Sequence, residues 1–315
     1  MVIKRKLEKK ITLGFKILSG HYTNGITKKH ISTLAEDERI PWGQTTLEDD
    51  INKMGNIILR NHNMKFWNSW SISMMEAMSD AIAINYTLVM VRDWINKDRP
   101  ENPLSTKYVN FQKNSIILLD KSIYEYITRQ WRGSSDSKIL NNLDRIGNQD
   151  MLFQPVNQKD WDSLIDEIIE NNTIAGESYL NGVDKRIKLL LYYYYVINNI
   201  AGPSTSDPNY NGIDIDHIIP QSLFDREHHE DIRELKNHIC NLALLPKGVN
   251  ISKTNAILKF IDNPWLIHQI ETYEQIKQED FEKYSSVDKI NELIRYRGNL
   301  IKNAIKINRK DIISA

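Results

Sequence analysis

The chain has a single cysteine in 315 residues. That excludes an intramolecular disulfide framework and a cysteine-rich zinc cluster, and it fits a reducing, cytoplasmic setting. No apolar run approaches the ~20 residues needed to span a bilayer. The N-terminal residues are basic but lack an apolar segment behind them, so we expect no secretory leader. Net charge is absent too: 41 Lys and Arg balance 41 Asp and Glu. A histone-like protein that binds by bulk charge is thereby excluded, whereas binding through a local patch and a metal is not. There is no internal repeat, no low-complexity tract and no Gly-rich phosphate loop. What is present, 41% apolar and 26% charged residues, is ordinary for a globular protein and too apolar for disorder. The length allows one large domain or two modest ones.

Charge is distributed unevenly. Residues 1–30 hold eight Lys and Arg against Glu8 alone, and 136–170 hold eight acidic residues against three basic ones. Ile3, Leu7, Ile11, Phe15 and Leu18 recur at helical spacing, which predicts an amphipathic helix over 3–19 stopped by Gly20. Thr46 and Asp49 resemble a capping box ahead of an apolar stripe of Leu47, Ile51, Met54 and Ile58. Long proline-free stretches at 71–96 and 106–131 read as helices, as does 159–172. Residues 177–200 contain Ile187–Ile197, apolar around most of its circumference, which predicts a central buried helix. The texture changes at 201–212, where Gly, Pro, Ser and Asn mark a loop. Ile213–Ile219 then alternates like a short strand, and Asn241–Leu245, closed by Pro246, reads as a second. A helix is expected through Asn250 to about Phe260, followed by two more at 266–283 and 286–306.

The chemistry lies in Asp214-Ile-Asp216-His217-Ile-Ile-Pro220, then Asn241–Asn250, then Lys253. A carboxylate and an imidazole adjoin at a strand end, and neighbours on a strand face opposite ways. One can hold a metal while the other reaches the scissile group. A hard divalent cation favours oxygen ligands, which Asp216 and Asn250 offer, and Mg²⁺ commonly keeps several positions for water and phosphate oxygens. His217, with an intrinsic pKa near ~6.5, can take a proton from an attacking water. Phosphodiester hydrolysis needs that division of labour.

These residues resemble the ββα-metal, or HNH, endonucleases. The resemblance implies His217 as general base, Asp216 and Asn250 as ligands of Mg²⁺ or Mn²⁺, and Asn241 as the residue that braces the loop and orients the histidine. The interval from Asn241 to Asn250, and Asp-x-Asp-His-Ile-x-Pro-Gln-Ser at 214–222, are similar to the HNH domain of RNA-guided CRISPR nucleases. The nuclease domain of Gmr-type modification-dependent restriction enzymes is more similar still. It shares His217-Ile-Ile-Pro220, Asn241-Leu-Ala-Leu-Leu245, the following Asn250, the helix before the motif and the closing Arg295-Tyr-Arg297-Gly helix. This resemblance covers about 178–305. It implies a mainly helical protein with a small embedded ββα-metal unit near 210–260, cleaving DNA to 5′-phosphate and 3′-hydroxyl ends in bacterial defence against foreign or modified DNA. The N-terminal signature of the NTP-hydrolysing domain that usually accompanies such nucleases is missing, so an NTPase partner is expected to be a separate chain. Lone Cys240 implies no structural zinc.

We therefore expect a helical recognition or partner-docking region at 1–150 and a helical nuclease domain at 151–315. Two other readings fit the same residues: an inactive nuclease fold serving as a binding subunit, and a toxin nuclease acting on RNA or host DNA. Asp214 is read equally as a support for the metal ligands or as a surface residue. Lys253, one helical turn past Asn250, is read as a phosphate contact over a solvated lysine. His228 and His229 are read as a solvated loop rather than extra ligands, and His238 as structural. The basic N-terminal helix is read equally as a DNA-backbone contact or a solvated face. Trp67, Trp70, Trp94 and Trp131 are read as core in preference to a cage for a flipped base.

Overall fold

The structure is a computed structural model. It describes residues 2–54, 74, 77–131, 133, 135–145, 152–202, 212–224, 232–253, 263–284 and 286–314. Within these, the chain is mainly helical, with two small antiparallel sheets. It divides into two compact units, one built from 1–67 and 78–156, the other from 68–77 and 157–314. Trp67, Trp70, His228, His229, Ile58 and the segment from 254 to Phe260 fall outside the described residues.

In the first unit, helix α1 (Val2–Thr23) runs through Gly20 instead of stopping there. The reason is packing. A Cβ on Gly20 would lie 2.7 Å from a Leu88 methyl and 2.9 Å from Ile26, so the missing side chain lets the next long helix approach closely. Helix α2 (Lys28–Ser32) and helix α3 (Thr45–Met54) follow. Helix α3 begins one residue before Thr46, which places Thr46 inside the helix and not at a cap. Leu47 is buried, but Ile51 is exposed, so the expected stripe does not form one covered face. Helix α4 (Asp80–Asn96) is capped by Ser79, whose hydroxyl accepts from the Ile82 amide, and helix α5 (Thr106–Ile127) is capped by Ser105 in the same way. Trp94 is fully buried and donates its indole N–H to the Pro100 carbonyl, which makes it a core residue. Helix α6 (Ser135–Asp144) packs on α4.

The second unit opens with helix α7 (Gln158–Glu170), which buries Trp161, Leu164, Ile165, Ile168 and Ile169 on one face. A short hairpin, β1 (Thr173–Ile174) with β2 (Glu177–Ser178), occupies part of the stretch expected to be helical. Helix α8 (Lys185–Ile197) is therefore shorter than the expected 177–200 stretch, though it covers the whole apolar run, and it starts at the Asp184 cap. It is buried over nearly all its surface, as a central helix must be, and Tyr193 stacks on Trp161 with ring centroids 5.2 Å apart. Strand β3 (Ile213–His217) pairs antiparallel with β4 (Leu242–Pro246), Ile213 opposite Pro246 and His217 opposite Leu242. Helix α9 (Gln221–Phe224) follows β3, and α10 (Lys247–Lys253) follows β4 directly and packs on both strands. Helix α11 (Pro264–Glu274) lies against β4 and α10; helices α12 (Phe281–Tyr284), α13 (Ile290–Asn303) and α14 (Arg309–Ser314) complete the unit.

Tyr195 anchors the strand pair to its helices. Its hydroxyl donates to the Tyr273 carbonyl on α11 and accepts from the Leu244 amide on β4 at 3.3 Å. Tyr195→Phe removes only that oxygen and leaves two buried partners without it. We expect a loss of about 1–3 kcal/mol, read from urea unfolding; a variant within error of wild type would show that the hydroxyl is not an anchor.

Candidate functional site

The site grows from the β3–β4–α10 frame. Asp214 and Asp216 are two apart on β3 and so share a strand face. Asn250 and Lys253 are three apart on α10 and share a helix face. The two faces meet. The Asn250 amide donates to Asp214 at 3.4 Å, and the Lys253 ammonium is paired with Asp216. Lys253 also pairs with Glu274 of α11 at 2.5 Å and is almost wholly buried.

Lys253 is thus not a free phosphate contact. Its stem follows Val249 by one turn into the core, and its charge lies between two carboxylates. Burial alone would lower its pKa; Glu274 and Asp216 outweigh that and hold it above the ordinary lysine value. Glu274 is fully buried, and burial pushes it up to about 7, with Lys253 opposing and Asp216 adding to the rise.

His217 looks the other way. Its Nε2 lies 3.2 Å from the Asn237 carboxamide oxygen and 3.0 Å from the Gln221 amide. Burial lowers its pKa below the ordinary histidine value, while Asn237 and Asp216 act in the opposite direction. The net direction favours the neutral ring, the form able to accept a proton.

Asn241 holds the chain that follows His217. It is fully buried. Its carboxamide oxygen accepts from the Ile219 amide at 2.9 Å, and its NH₂ donates to the carbonyls of Ile219 and Lys236. The Ile218 amide donates to its backbone carbonyl at 2.9 Å. This braces the loop. The orienting contact to the imidazole comes from Asn237 and Gln221, with no hydrogen bond from Asn241 to that ring among the described residues.

Asp214, Asp216 and Asn250 are oxygen donors on one interface, suited in kind to a hard divalent cation. Among the described residues, no group of three or more His, Cys, Asp and Glu side chains is placed to hold a metal. The set is two carboxylates and a carboxamide, in which Asp216 is paired with Lys253 and the Asn250 NH₂ faces Asp214. A cavity of about 290 Å³ lies elsewhere in this unit, between α7 and α13, lined by Asp162, Asp166, Asn299 and Lys302. None of the residues above lines it, and it is not this site.

Two neighbours of the site are structural. Cys240 is buried, with its thiol pushed up to about 12 by burial, and is chemically inert. His238 is buried, accepts the Cys240 amide at Nδ1 and donates from Nε2 to the Ile169 carbonyl at 3.2 Å. Both ring nitrogens are thus used in the neutral form.

Sequence comparison is consistent with this frame. Residues 162–309 match the family model of the GmrSD restriction endonucleases, C-terminal domain. This part of the chain resembles that domain, in line with the motifs at 217–220, 241–245 and 250. No curated protein and no solved structure matches the chain. No helix among the described residues is long and apolar enough to cross a membrane.

Burial pulls His238 down to about 4 in the folded protein, against about 6.5 unfolded. A depressed folded value means that the unfolded state binds the proton first. The stability held by neutral His238 is complete above pH 6.5 and is lost as pH falls toward 4. In thermal melts at stepped pH, the advantage of wild type over His238→Leu should shrink across that window; a gap that stays constant would contradict the buried neutral ring.

Proposed function

We propose that residues 157–314 form a metal-dependent endonuclease of the ββα-metal type, hydrolysing DNA phosphodiesters in restriction of foreign or modified DNA. The observation that carries this reading is the division across β3: an imidazole held by amides on one side, and two carboxylates with the Asn250 carboxamide on the other. The match to the GmrSD C-terminal domain supports the choice of DNA restriction over other phosphodiester chemistry.

In this reading His217 is the general base that takes a proton from the attacking water. Asp216 and Asn250 are the residues that would hold Mg²⁺ or Mn²⁺, and the cation so held supplies charge neutralisation at the phosphate and the leaving oxygen. Asp214 fixes the Asn250 amide, so that its carbonyl oxygen is the end left for a ligand. Asn241 keeps the backbone after His217 from shifting. The first unit, including the basic α1, would serve recognition or docking of a partner, such as an NTPase carried on a separate chain.

The test is nicking of supercoiled plasmid across a metal panel, with structured RNA alongside. Wild type should cut DNA with Mg²⁺ or Mn²⁺ and stop with EDTA. His217→Ala should lower the rate by about 10²–10⁴-fold with the fold intact, and Asn250→Ala should raise the metal concentration required. Unchanged cleavage by His217→Ala would refute the assignment, and cleavage confined to RNA would replace restriction by a toxin activity.

A further inference from the structure

Strand β4 is buried, yet among the described residues it has a strand on one side only. Main-chain groups along a strand face its two flanks in turn. Asn241 turns its carbonyl toward β3, where the Ile218 amide donates at 2.9 Å. Leu242 and Leu244 turn theirs the other way, into the core, and a buried carbonyl or amide needs a partner there. Side chains supply it. The Leu244 amide meets the Tyr195 hydroxyl at 3.3 Å. Arg297 of α13, itself buried, donates from Nη1 to the Cys240 carbonyl at 2.8 Å and to the Leu242 carbonyl at 2.6 Å. Gly298 lets α13 come this near: a Cβ there would meet the Ile169 side chain at 3.0 Å and Cys240 Sγ at 3.7 Å. Both bonds come from one nitrogen, and Nη2 has no hydrogen-bond partner among the described residues. The two carbonyls flank Asn241, and Leu242 stands opposite His217 in the ladder. From outside the sheet, Arg297 thus grips both the brace of the loop and the cross-strand neighbour of the histidine.

We propose that Arg297 is a positioning residue for His217, acting through the Cys240 and Leu242 carbonyls to fix the peptide planes on either side of Asn241. This rests on the reading of His217 as general base, and it gives the closing helix a task in the site beyond packing. A cation suits the position because a charged donor bonds a carbonyl more strongly than a neutral one. Since one nitrogen makes both bonds, the planar fork that separates arginine from lysine is not what the position uses. A lysine ammonium can therefore take over.

The test uses full-length protein labelled with ²H and ¹⁵N. Amide exchange is followed at Ile218 and Ile219, which bond the Asn241 carbonyl and carboxamide, with Leu190 and Leu191 of buried α8 as controls. Arg297→Met keeps an apolar stem and loses the donors. In it the first pair should exchange about 10–100-fold faster while the controls hold. Its kcat for plasmid nicking should fall about 10²-fold with KM and the metal requirement kept, the mark of a displaced reacting group. Arg297→Lys should restore slow exchange and most of kcat. Wild-type exchange at Ile218 and Ile219 in Arg297→Met, or full kcat, would overturn the proposal. So would controls accelerated as much as the loop, which would show a role in general stability, and so would a lysine variant no better than methionine. Where Arg297→Met does not fold, wild type decides. Nη1 hydrogens held by two carbonyls should give slowly exchanging guanidinium signals, absent from Arg297→Lys, and a freely exchanging guanidinium would refute the grip. These spectra need no turnover. If His217→Ala cut as well as wild type, the base assignment would fail while exchange still decided whether Arg297 holds the loop.

Discussion

The Asn241 carboxamide is the constraint on which the site rests. It is fully buried and uses its acceptor and both donors on backbone groups of Ile219 and Lys236. No other side chain matches that demand. An aspartate would lose the donors and bring a charge into the core, and a leucine would strand three backbone partners. The β3–β4 ladder fixes His217 from one side, opposite Leu242, and Asn241 fixes the residues that follow from the other. The imidazole is thus held by a backbone clamped before and after it. Precision of this kind is what the proposed general base needs, because small displacements of a catalytic atom are costly in rate.

Polar groups are sorted by charge across β3. Neutral amides surround His217, while ions gather behind Asp216. The sorting has a physical logic. A carboxylate beside the imidazole would favour its protonated form and remove the base at neutral pH. A carboxamide accepts one hydrogen bond and adds no charge. On the opposite face, carboxylates are the appropriate ligands for a hard cation, but they repel each other and resist burial. Lys253 meets that cost by standing between Asp216 and Glu274.

The frame was legible in the sequence because strands and helices announce themselves by period. Alternation at 213–219, the closing Pro246 and the spacing to Asn250 lead to the strand–strand–helix order that the structure has. The opposite faces of Asp216 and His217 follow from strand geometry alone. Lys253, expected as a phosphate contact, is buried: its spacing of four from buried Val249 puts it on the covered face of α10. Glu274 carries a similar signal: Leu266, Ile270, Tyr273 and Glu274 fall on one stripe of α11, and all four are buried. Asn237 gave no signal of either kind. It ends a short 3₁₀ turn of polar residues, where no period separates inside from outside, and its partners, Leu180 and His217, are remote in sequence. Gly20 shows the opposite error: a residue that usually ends helices is kept inside one because a neighbouring helix needs the room.

Lys253 has a consequence for how tightly the proposed cation can be held. Without an ammonium at that position, Asp216 and Glu274 would repel across a low-dielectric gap, and the frame could close only by protonating one of them. The lysine lets the strands and α10 assemble before any divalent ion is present. The same ammonium then competes for Asp216, since a carboxylate partly neutralised by a lysine gives less attraction to a second cation. In the proposed reading, folding would not need the metal, at some expense of affinity for it. A cation held by Asp216 and Asn250 would then take its remaining positions from water and the phosphate oxygens of the substrate, with Asp214 keeping the Asn250 amide in place.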